Sequence, residues 1–467
     1  MRTVRNLIGA DHVDATSGER IDDLGPDDGS IIATLPRSRA ADVDDAVTVA
    51  SAAQVAWAAM PLLERADHLD ALADLMEEHI HEIAELEALD TGKPWEVALN
   101  VDASRSIRNM RFFASLGRTH EDPTFPMEDA TNHLHRRPVG VVGLISPWNL
   151  PLYLLTWKVA PALLMGNTII AKPSEMTPLT AHRFGELALE AGLPPGVLNL
   201  LHGYGPEVGA AIVEHPMIRG ISFTGGTATG RLVAAAAAPM FKKLSLELGG
   251  KNATLLLDDV DLDASMDGIV RSGFLNSGQV CLCGSRILVP HALMEAFLER
   301  FIPAATSYPI GPLISEAHRA KVIGYLDLAR SDGGAVHGGQ PGEGSGHHLQ
   351  PAVITGLPPS HPCAMEEIFG PVVTVHGYEH VEEAIEIANG TEYGLAGSIW
   401  TGDTERGRRI AERLDTGMVW INTWLHRDLR VPFGGTKSSG VGREGGRWSL
   451  DFFSELTNIC ILDASDA

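Results

Sequence analysis

The apolar positions of the chain form a helical layer, which is followed by two series of short strands and helices. Alanine and leucine recur with helical spacing over 41–58, 63–90 and 95–117, and Thr91-Gly92-Lys93-Pro94 breaks the pattern between the last two segments. Residues 1–36 contain only short apolar pieces between turn residues. Such pieces predict strands at the edge of a sheet.

From residue 139 onward, short apolar runs typical of buried strands alternate with helical patterns. The strand-like runs of the first series are 139–145, 167–172, 197–201 and 219–223, and its helical patterns are 151–165, 178–191, 206–214 and 228–238. A second series has strand-like runs near 253–257, 286–290, 351–355, 371–377, 396–401 and 417–421. Repeated β-α units predict doubly wound parallel sheets, which bind ligands at the carboxyl ends of their strands. The predicted fold class is therefore α/β with two such domains.

Composition and charge narrow the classes of partner. The 467 residues carry a net charge of -24, which disfavours nucleic acids and anionic membranes as partners. The longest apolar stretch, 153–171, is interrupted by polar residues and glycine, so we expect no membrane span. Four cysteines are too few for a disulfide framework in a chain of this length, and the first nine residues lack an apolar run of signal-peptide length. Both observations predict that the protein is located in the reducing cytoplasm. The spacing of the cysteines and histidines predicts no metal site.

Glycine loops follow two strands of the first series. Gly203–Gly209 is one residue too long for the dinucleotide fingerprint, and Gly225–Gly230 has the spacing of a phosphate loop without its lysine, so each alone is typical of an ordinary turn. Lys172 and Glu175 stand at the end of a third strand. An ammonium and a carboxylate there suit the two hydroxyls of a ribose, and the carboxylate would repel a 2'-phosphate, which favours NAD over NADP.

Two residues are candidates for a nucleophile and a general base. Cys281 lies in a turn after the helical pattern 261–277, whose C-terminal end would not activate a thiolate, so another group would have to do so. Glu247 lies in an apolar strand, where it could form an ion pair with Lys251, lie at an edge, or be a general base whose pKa is raised by its neighbours Leu246 and Leu248. A cysteine taken alone is more often a small buried hydrophobe, which is how we interpret Cys283.

Six motifs together resemble the NAD(P)-dependent aldehyde dehydrogenase superfamily over essentially the whole chain. They are Pro147-Trp148-Asn149, Lys172-Pro173-Ser174-Glu175, Phe223-Thr224-Gly225 with Gly230, Glu247-Leu248-Gly249-Gly250-Lys251, Gly278-Gln279-Val280-Cys281 and Glu367-Ile368-Phe369-Gly370-Pro371. The resemblance implies that Cys281 is the nucleophile, Glu247 the general base and Asn149 the oxyanion donor. It also implies an NAD site formed by Ser146, Pro147, Trp148, Lys172, Ser174, Glu175, Gly205, Gly209, Phe223, Gly225, Gly226, Gly230, Leu248, Glu367 and Phe369.

The domain plan follows from the same resemblance. An NAD-binding domain would comprise 1–118 and 138–246, and a catalytic domain 247–430. The segments 119–137 and 447–467 would form a small β ribbon for bridging and oligomerisation. We therefore expect a homodimer or a homotetramer.

Within the superfamily, three stretches are similar to 2-aminomuconate and 2-hydroxymuconate semialdehyde dehydrogenases. They are 145–158, 281–286 and 424–429. The resemblance implies that Arg105 and Arg427 bind the carboxylate of a semialdehyde substrate, whereas Arg108 and Arg111 belong to a solvated helix face. Two features depart from the pattern, a shortened segment over 301–310 and His426 beside Arg427. Other acidic or neutral aldehydes, or a non-catalytic protein that retains the fold, are the alternatives.

Overall fold

The computed structural model describes residues 2–463, so Met1 and the last four residues of the expected bridging segment lie outside it. The strands are β1 Arg2–Thr3, β2 Asn6–Ile8, β3 Asp11–Val13, β4 Arg20–Leu24, β5 Ile31–Pro36, β6 Thr124–Pro126, β7 Ala130–Pro138, β8 Val141–Ile145, β9 Thr168–Lys172, β10 Leu198–Leu200, β11 Ile218–Thr224, β12 Lys243–Glu247, β13 Ala253–Leu256, β14 Arg286–Pro290, β15 Ala335–Gly338, β16 Ala352–Thr355, β17 Val372–Tyr378, β18 Tyr393–Gly394, β19 Ala396–Trp400, β20 Met418–Ile421, β21 Thr436–Lys437, β22 Gly440–Val441 and β23 Ser454–Leu462.

The α-helices are α1 Ala40–Ala59, α2 Leu62–Glu78, α3 Ile80–Thr91, α4 Trp95–Val97, α5 Ser104–Thr119, α6 Pro151–Leu164, α7 Leu179–Glu190, α8 Ala210–Glu214, α9 Thr227–Ala237, α10 Leu262–Phe274, α11 Met294–Thr306, α12 Glu316–Ser331, α13 Pro362–Met365, α14 Val381–Asn389, α15 Thr404–Ala411 and α16 Gly446–Phe452. Helices α1, α6, α7 and α9 begin and end within two residues of the helical patterns in the sequence.

The first sheet has eight strands in the order β22-β12-β11-β8-β9-β10-β2-β3. The five strands from β12 to β10 run parallel, and antiparallel strands close both edges. Chain order reverses beside β8, because β9 and β11 lie on opposite sides of it. A crevice is expected at such a reversal, at the carboxyl ends of β8 and β11.

The second sheet has the order β15-β16-β17-β14-β13-β19-β20. Its six strands from β16 to β20 run parallel, and β15 forms an antiparallel edge. Each sheet packs against its own helices, with Trp57, Phe113 and Trp157 in the first core and Phe274, Phe297 and Phe301 in the second. The predicted α/β class with two doubly wound sheets is confirmed.

A three-stranded ribbon, β23-β7-β6, stands apart from both sheets. Strand β7 pairs with β23 in an antiparallel register from Ser454 opposite Pro138 to Leu462 opposite Ala130. The ribbon carries exposed apolar side chains, among them Phe125, Leu456 and Ile461.

The helical layer departs from the sequence pattern at two places. The pattern over 63–90 predicted one continuous helix, but the chain breaks at His79, whose backbone (φ -101°, ψ 16°) ends α2 before α3 begins. The pattern over 95–117 likewise contains a π-helical segment, Ala98–Ala103, between α4 and α5. Asp102 and Arg105 are both buried at this junction, and segments of this kind are frequent at functional sites.

Within residues 2–463 no single helix has the length and apolar character needed to cross a membrane, and α1 and α2 meet both criteria only as a pair bent by 117°.

Candidate active site

A cavity of about 240 Å³ opens at the carboxyl ends of β8 and β11, and we call it the front cavity. Its walls come from the first sheet, from the loop before β14 and from the segment before β17. The lining residues are Pro147, Trp148, Asn149, Leu154, Thr224, Gly225, Gly226, Leu248, Gly249, Cys281, His318, Lys321, Glu367 and Phe369. The structure therefore brings together residues that are more than 200 positions apart in the sequence.

Cys281 lies at the boundary between two cavities. Besides the front cavity, it lines an inner cavity of about 40 Å³, whose wall is mostly apolar and extends to Arg427. Its loop is held by Asn252, whose Nδ2 donates to the carbonyl oxygens of Cys281 at 2.7 Å and Cys283 at 2.9 Å. A thiol at this boundary can meet one ligand from each side.

The backbone before Cys281 is unusual. The helical pattern predicted over 261–277 ends at Phe274, because Asn276 and Ser277 adopt left-handed conformations with φ of 54° and 57°. Gly278 has a φ of 70°, and a Cβ atom there would lie 2.0 Å from the carbonyl oxygen of Gly370. The tight turn therefore requires glycine and fixes the position of the thiol.

The surroundings of Cys281 disfavour a free thiolate. Burial raises its pKa above the ordinary value, and the carboxyl groups of Glu367 and Glu247 raise it further. No helix N-terminus contributes, which agrees with the sequence analysis. The thiol is therefore protonated at rest, and a base or a positively charged ligand must generate the nucleophile.

Asn149 is anchored through both its side chain and its backbone carbonyl oxygen. Its Nδ2 donates to the carbonyl oxygen of Gln279 at 2.9 Å, and its own carbonyl oxygen accepts from Lys93 Nζ at 3.1 Å and from Asn276 Nδ2 at 3.0 Å. A primary amide has two donor hydrogens, so one remains for a ligand. Asn149 lines both the front and the inner cavity, as Cys281 does.

Glu247 is buried at the end of β12, and neither carboxyl oxygen has a hydrogen-bond partner among the described residues. Burial raises its pKa well above the ordinary value, and the nearby Glu444 adds to this increase. The alternative of an ion pair with Lys251 is wrong, since no such pair forms and Lys251 Nζ is also unpartnered among residues 2–463. Glu247 lines neither cavity, and its carboxyl group packs against Gly434.

Glu367, Phe369 and Trp148 form one wall of the front cavity. Glu367 Oε1 accepts from the backbone N–H of Gly250 at 2.8 Å, which fixes its carboxylate. Trp148 meets the Phe369 ring edge to face, with ring centroids 5.3 Å apart. Phe369 has a left-handed φ of 60°, and its carbonyl oxygen is hydrogen-bonded to His318 Nε2 at 2.7 Å.

A second group of residues surrounds Lys172 at the end of β9. Lys172 Nζ forms an ion pair with Glu175 at 2.9 Å, and the carbonyl oxygen of Lys172 accepts from the N–H of Ser146 at 3.1 Å. A Cβ atom on Gly209 would lie 3.6 Å from the Lys172 side chain, which brings the Gly205–Gly209 loop beside it. Ser174 is buried in the same segment.

Phe223 and Gly230 support the glycine loop from behind. A Cβ atom on Gly225 would lie 2.5 Å from the Phe223 ring, and one on Gly230 would lie 2.4 Å from Leu248. Neither Phe223 nor Gly230 lines the front cavity. Their contacts hold Gly225, Gly226 and Leu248 at its wall.

Arg105 and Arg427 meet around Tyr153. Arg427 Nη1 donates to the Tyr153 hydroxyl at 2.9 Å, and the Arg105 guanidinium lies 5.4 Å from the Tyr153 ring centroid. Arg105 is buried, yet its Nε and Nη2 atoms have no partner among the described residues. Buried donors without acceptors are costly, so this guanidinium is prepared to bind an anion.

Three residues with no predicted role belong to the site, namely Lys93, Tyr153 and His318. Lys93 supports Asn149, Tyr153 lies between the two arginines, and His318 lies behind Phe369. Tyr153 stands in the stretch 145–158 that carried the resemblance, and this was the only indication of its importance. Lys93 follows Gly92 in a turn, where a lysine is normally exposed.

The chain matches a known protein family over most of its length. Residues 12–459 match the model of the aldehyde dehydrogenase family. The chain belongs to the aldehyde dehydrogenase family. It is therefore an enzyme, as the sequence indicated.

Individual relatives match the chain over nearly their whole length. The chain is 43% identical to 2-hydroxymuconic semialdehyde dehydrogenase of Pseudomonas sp. (strain CF600), covering 99% of this chain and 100% of that protein. It is 44% identical to 2-aminomuconic semialdehyde dehydrogenase of Danio rerio, covering 98% of each. An NAD+ complex of aldehyde dehydrogenase from Bacillus cereus superposes with a TM-score of 0.96 at 37% identity, covering 99% of this chain and 97% of that one. The similarity to the muconic semialdehyde enzymes inferred from the motifs is confirmed.

Proposed function

We propose that the enzyme oxidises a carboxylate-bearing semialdehyde, such as 2-hydroxymuconate or 2-aminomuconate semialdehyde, to the acid with NAD. One observation carries the proposal: Cys281 and Arg427 line the same inner cavity, so an aldehyde at the thiol directs its far end toward a guanidinium. The relatives at 43% and 44% identity carry names for these two substrates.

The front cavity fits NAD. Gly226 has nothing within 4 Å of its Cβ position, so its backbone presents an open surface that a pyrophosphate can approach. The Lys172–Glu175 pair offers a donor and an acceptor for ribose hydroxyls, and the buried Ser146 hydroxyl lacks a partner among the described residues. Glu367 and Phe369 would hold the nicotinamide end, and Leu248 would lie against it. The bound cofactor supplies a hydride acceptor.

Ionised Glu247 takes the thiol proton of Cys281 and passes it to solvent, and Sγ then adds to the aldehyde carbon to form the thiohemiacetal anion. The oxyanion accepts hydrogen bonds from Asn149 Nδ2 and from the backbone N–H of Cys281, which donates to no backbone carbonyl of the described residues. Each such donor contributes about 3 kcal/mol in other enzymes. Oxidation leaves a thioester on Cys281. Glu247 then removes a proton from the water that hydrolyses it, for which its carboxylate turns from Gly434 toward the thioester.

The test of this proposal compares substrates in the parent enzyme and in Arg427→Met. NADH formation is followed with an unsubstituted six-carbon acid semialdehyde and with a neutral aldehyde of equal length. We expect the parent to prefer the acid and Arg427→Met to lose about 10²-fold in kcat/KM for the acid alone, as for a lost charge-assisted contact. Equal rates for both aldehydes, unaffected by the substitution, would leave the family assignment intact but contradict the proposed substrate class.

We further propose the domain plan of the sequence analysis, with the ribbon as the site of assembly into a homodimer or homotetramer. The exposed side chains of Leu456 and Ile461 support this proposal, since they lie on the edge strand β23, whose outer side pairs with no other strand among residues 2–463. Replacing both by lysine would shift the mass measured by light scattering toward that of the monomer. An unchanged mass would show that the ribbon is not the assembly interface.

We also place the enzyme in the cytoplasm. All four cysteines are free thiols, and the mechanism needs Cys281 reduced. Cell fractionation tests this, and recovery from an oxidising compartment would contradict it.

A further inference from the structure

A large open cavity lies beyond Arg427, and we call it the outer basin. It has a volume of about 520 Å³ and is lined by Arg105, Arg108, Phe112, His426, Arg427, Asp428, Leu429 and Arg430. Four of these eight residues are arginines and one is an acid, although the whole chain has a net charge of -24. The basin is therefore a local concentration of positive charge on an acidic protein.

The four arginines differ in how they are engaged. Arg430 is paired with Asp428, whose two carboxyl oxygens accept from its Nε at 2.9 and 3.0 Å. Arg427 is held by Tyr153, and Arg105 is buried with unpartnered donors. Arg108 is exposed, and no carboxylate among residues 2–463 lies within ion-pair distance of it. Arg108 thus remains unengaged at the edge of the basin.

Arg111 provides an internal comparison one turn further along α5. It forms ion pairs with Asp74 at 2.8 Å and with Glu77, both on α2. Arg111 therefore joins two helices, whereas Arg108 faces the basin. Both arginines were predicted on a solvated helix face, but their surroundings in the structure differ.

We propose that Arg108 is a specificity residue that binds a second, oxygen-based substituent next to the substrate carboxylate. This inference rests on the proposed function, because the carboxylate itself is taken by Arg105 and Arg427. Guanidinium groups only donate hydrogen bonds, so a group placed against Arg108 must be an acceptor. A hydroxyl, enolate or carbonyl oxygen meets this requirement.

An amino substituent at the same place is less well matched. It needs an acceptor, and the one carboxylate that lines the outer basin, Asp428, already binds Arg430 with both oxygens. An amino group on a conjugated carbon mainly donates, as Arg108 does, so Arg108 favours semialdehydes with an oxygen substituent beside the carboxylate over those with an amino group or with hydrogen.

The experiment compares two substrates in three proteins. The substrates are 2-hydroxymuconate semialdehyde and the unsubstituted semialdehyde used above, and the proteins are the parent, Arg108→Gln and Arg111→Gln. We expect the parent to prefer the hydroxylated substrate about tenfold in kcat/KM, in line with one charged hydrogen bond. Arg108→Gln should bring this ratio close to one, Arg108→Lys should restore part of it, and Arg111→Gln should leave it unchanged.

The result that would overturn the inference is a ratio that survives Arg108→Gln, or one that Arg111→Gln lowers equally. Inhibition constants of the two dicarboxylic acid products, with and without the hydroxyl, give the same comparison without turnover. A failure of the proposed function would look different. In that case the parent enzyme would oxidise the unsubstituted acid semialdehyde no faster than the neutral aldehyde, a comparison that does not involve the hydroxyl group.

Discussion

The ammonium group of Lys93 donates a hydrogen bond to the backbone carbonyl oxygen of Asn149 at 3.1 Å, and its other contact is Asp102 Oδ2 at 3.0 Å. Both charged side chains are fully buried, so the ion pair is shielded from solvent. Asn149 is thereby held from behind while its amide lines both cavities. Lys93 is a positioning residue for the oxyanion donor.

Replacing Lys93 tests this relationship. Lys93→Met alone would leave Asp102 buried and unpaired, at a cost of about 3–5 kcal/mol, so the informative variant is Lys93→Met with Asp102→Leu. We expect kcat to fall about tenfold to 100-fold because the oxyanion contact is misplaced, while KM for NAD stays the same. Steady-state kinetics measure both. A folded double variant with the parent kcat would show that the pair serves stability alone.

Glu247→Gln should lower kcat by about 10²- to 10⁴-fold, the usual contribution of a general base. A carboxyl acts as a base only when ionised, and burial raises the pKa of Glu247, so kcat of the parent should increase with pH through that pKa. The increase should vanish in Glu247→Gln. If it persists, another group controls it, such as Lys251, whose pKa burial lowers to about 7.

Gly226→Ala should weaken NAD binding without destabilising the fold. The backbone at Gly226 (φ -69°, ψ 146°) accepts alanine, and its Cβ would meet nothing within 4 Å, yet it would occupy space beside the front cavity. We expect the Kd for NAD to rise about tenfold, as for one lost phosphate contact of about 1.4 kcal/mol. Calorimetric titration measures it, with Gly324→Ala on the exposed side of α12 as the control. Equal NAD affinities of the parent and Gly226→Ala would show that the glycine loop does not contact the cofactor.

Glu87→Gln should make stability less dependent on pH. Burial, and then Asp102, raises the pKa of Glu87 to about 8 in the folded protein, from an ordinary 4.5. The folded state therefore binds the proton more tightly, so its stabilising effect is complete below about pH 4.5 and is lost as pH rises toward 8. Thermal melts from pH 5 to 9 should show Tm falling less in Glu87→Gln than in the parent. Parallel curves would contradict the shift.

Much of the fold followed from local patterns. The strand β14 begins at Arg286 and ends at Pro290, as its apolar run predicted, because a buried parallel strand has a continuous apolar sequence. The break at His79 was missed, since leucine and alanine continue with helical spacing through it and no glycine or proline marks the end. The left-handed turn at Asn276 and Ser277 was missed for a related reason. Contacts with residues distant in sequence, such as Ser277 Oγ with the Gly311 carbonyl at 2.8 Å, impose it.

The sequence likewise identified some residues of the site and missed others. Cys281, Asn149 and Glu367 could be found because their neighbours form recognisable motifs, and the structure gathers them around one cavity. Their roles stay predictions until the variants are made. The support from Lys93 and the different surroundings of Arg108 and Arg111 could not be found, because both depend on which helix packs opposite, information that no local pattern carries.

The position of Arg427, on both the inner cavity and the outer basin, also has a consequence for the product. Hydrolysis of the thioester releases a second carboxylate beside Cys281, near the acidic side chains of Glu247 and Glu367, while the first carboxylate stays among arginines. The product is thus repelled at one end and attracted at the other. The arginines therefore retain the product by its first carboxylate, and salt that screens them should weaken inhibition by the product.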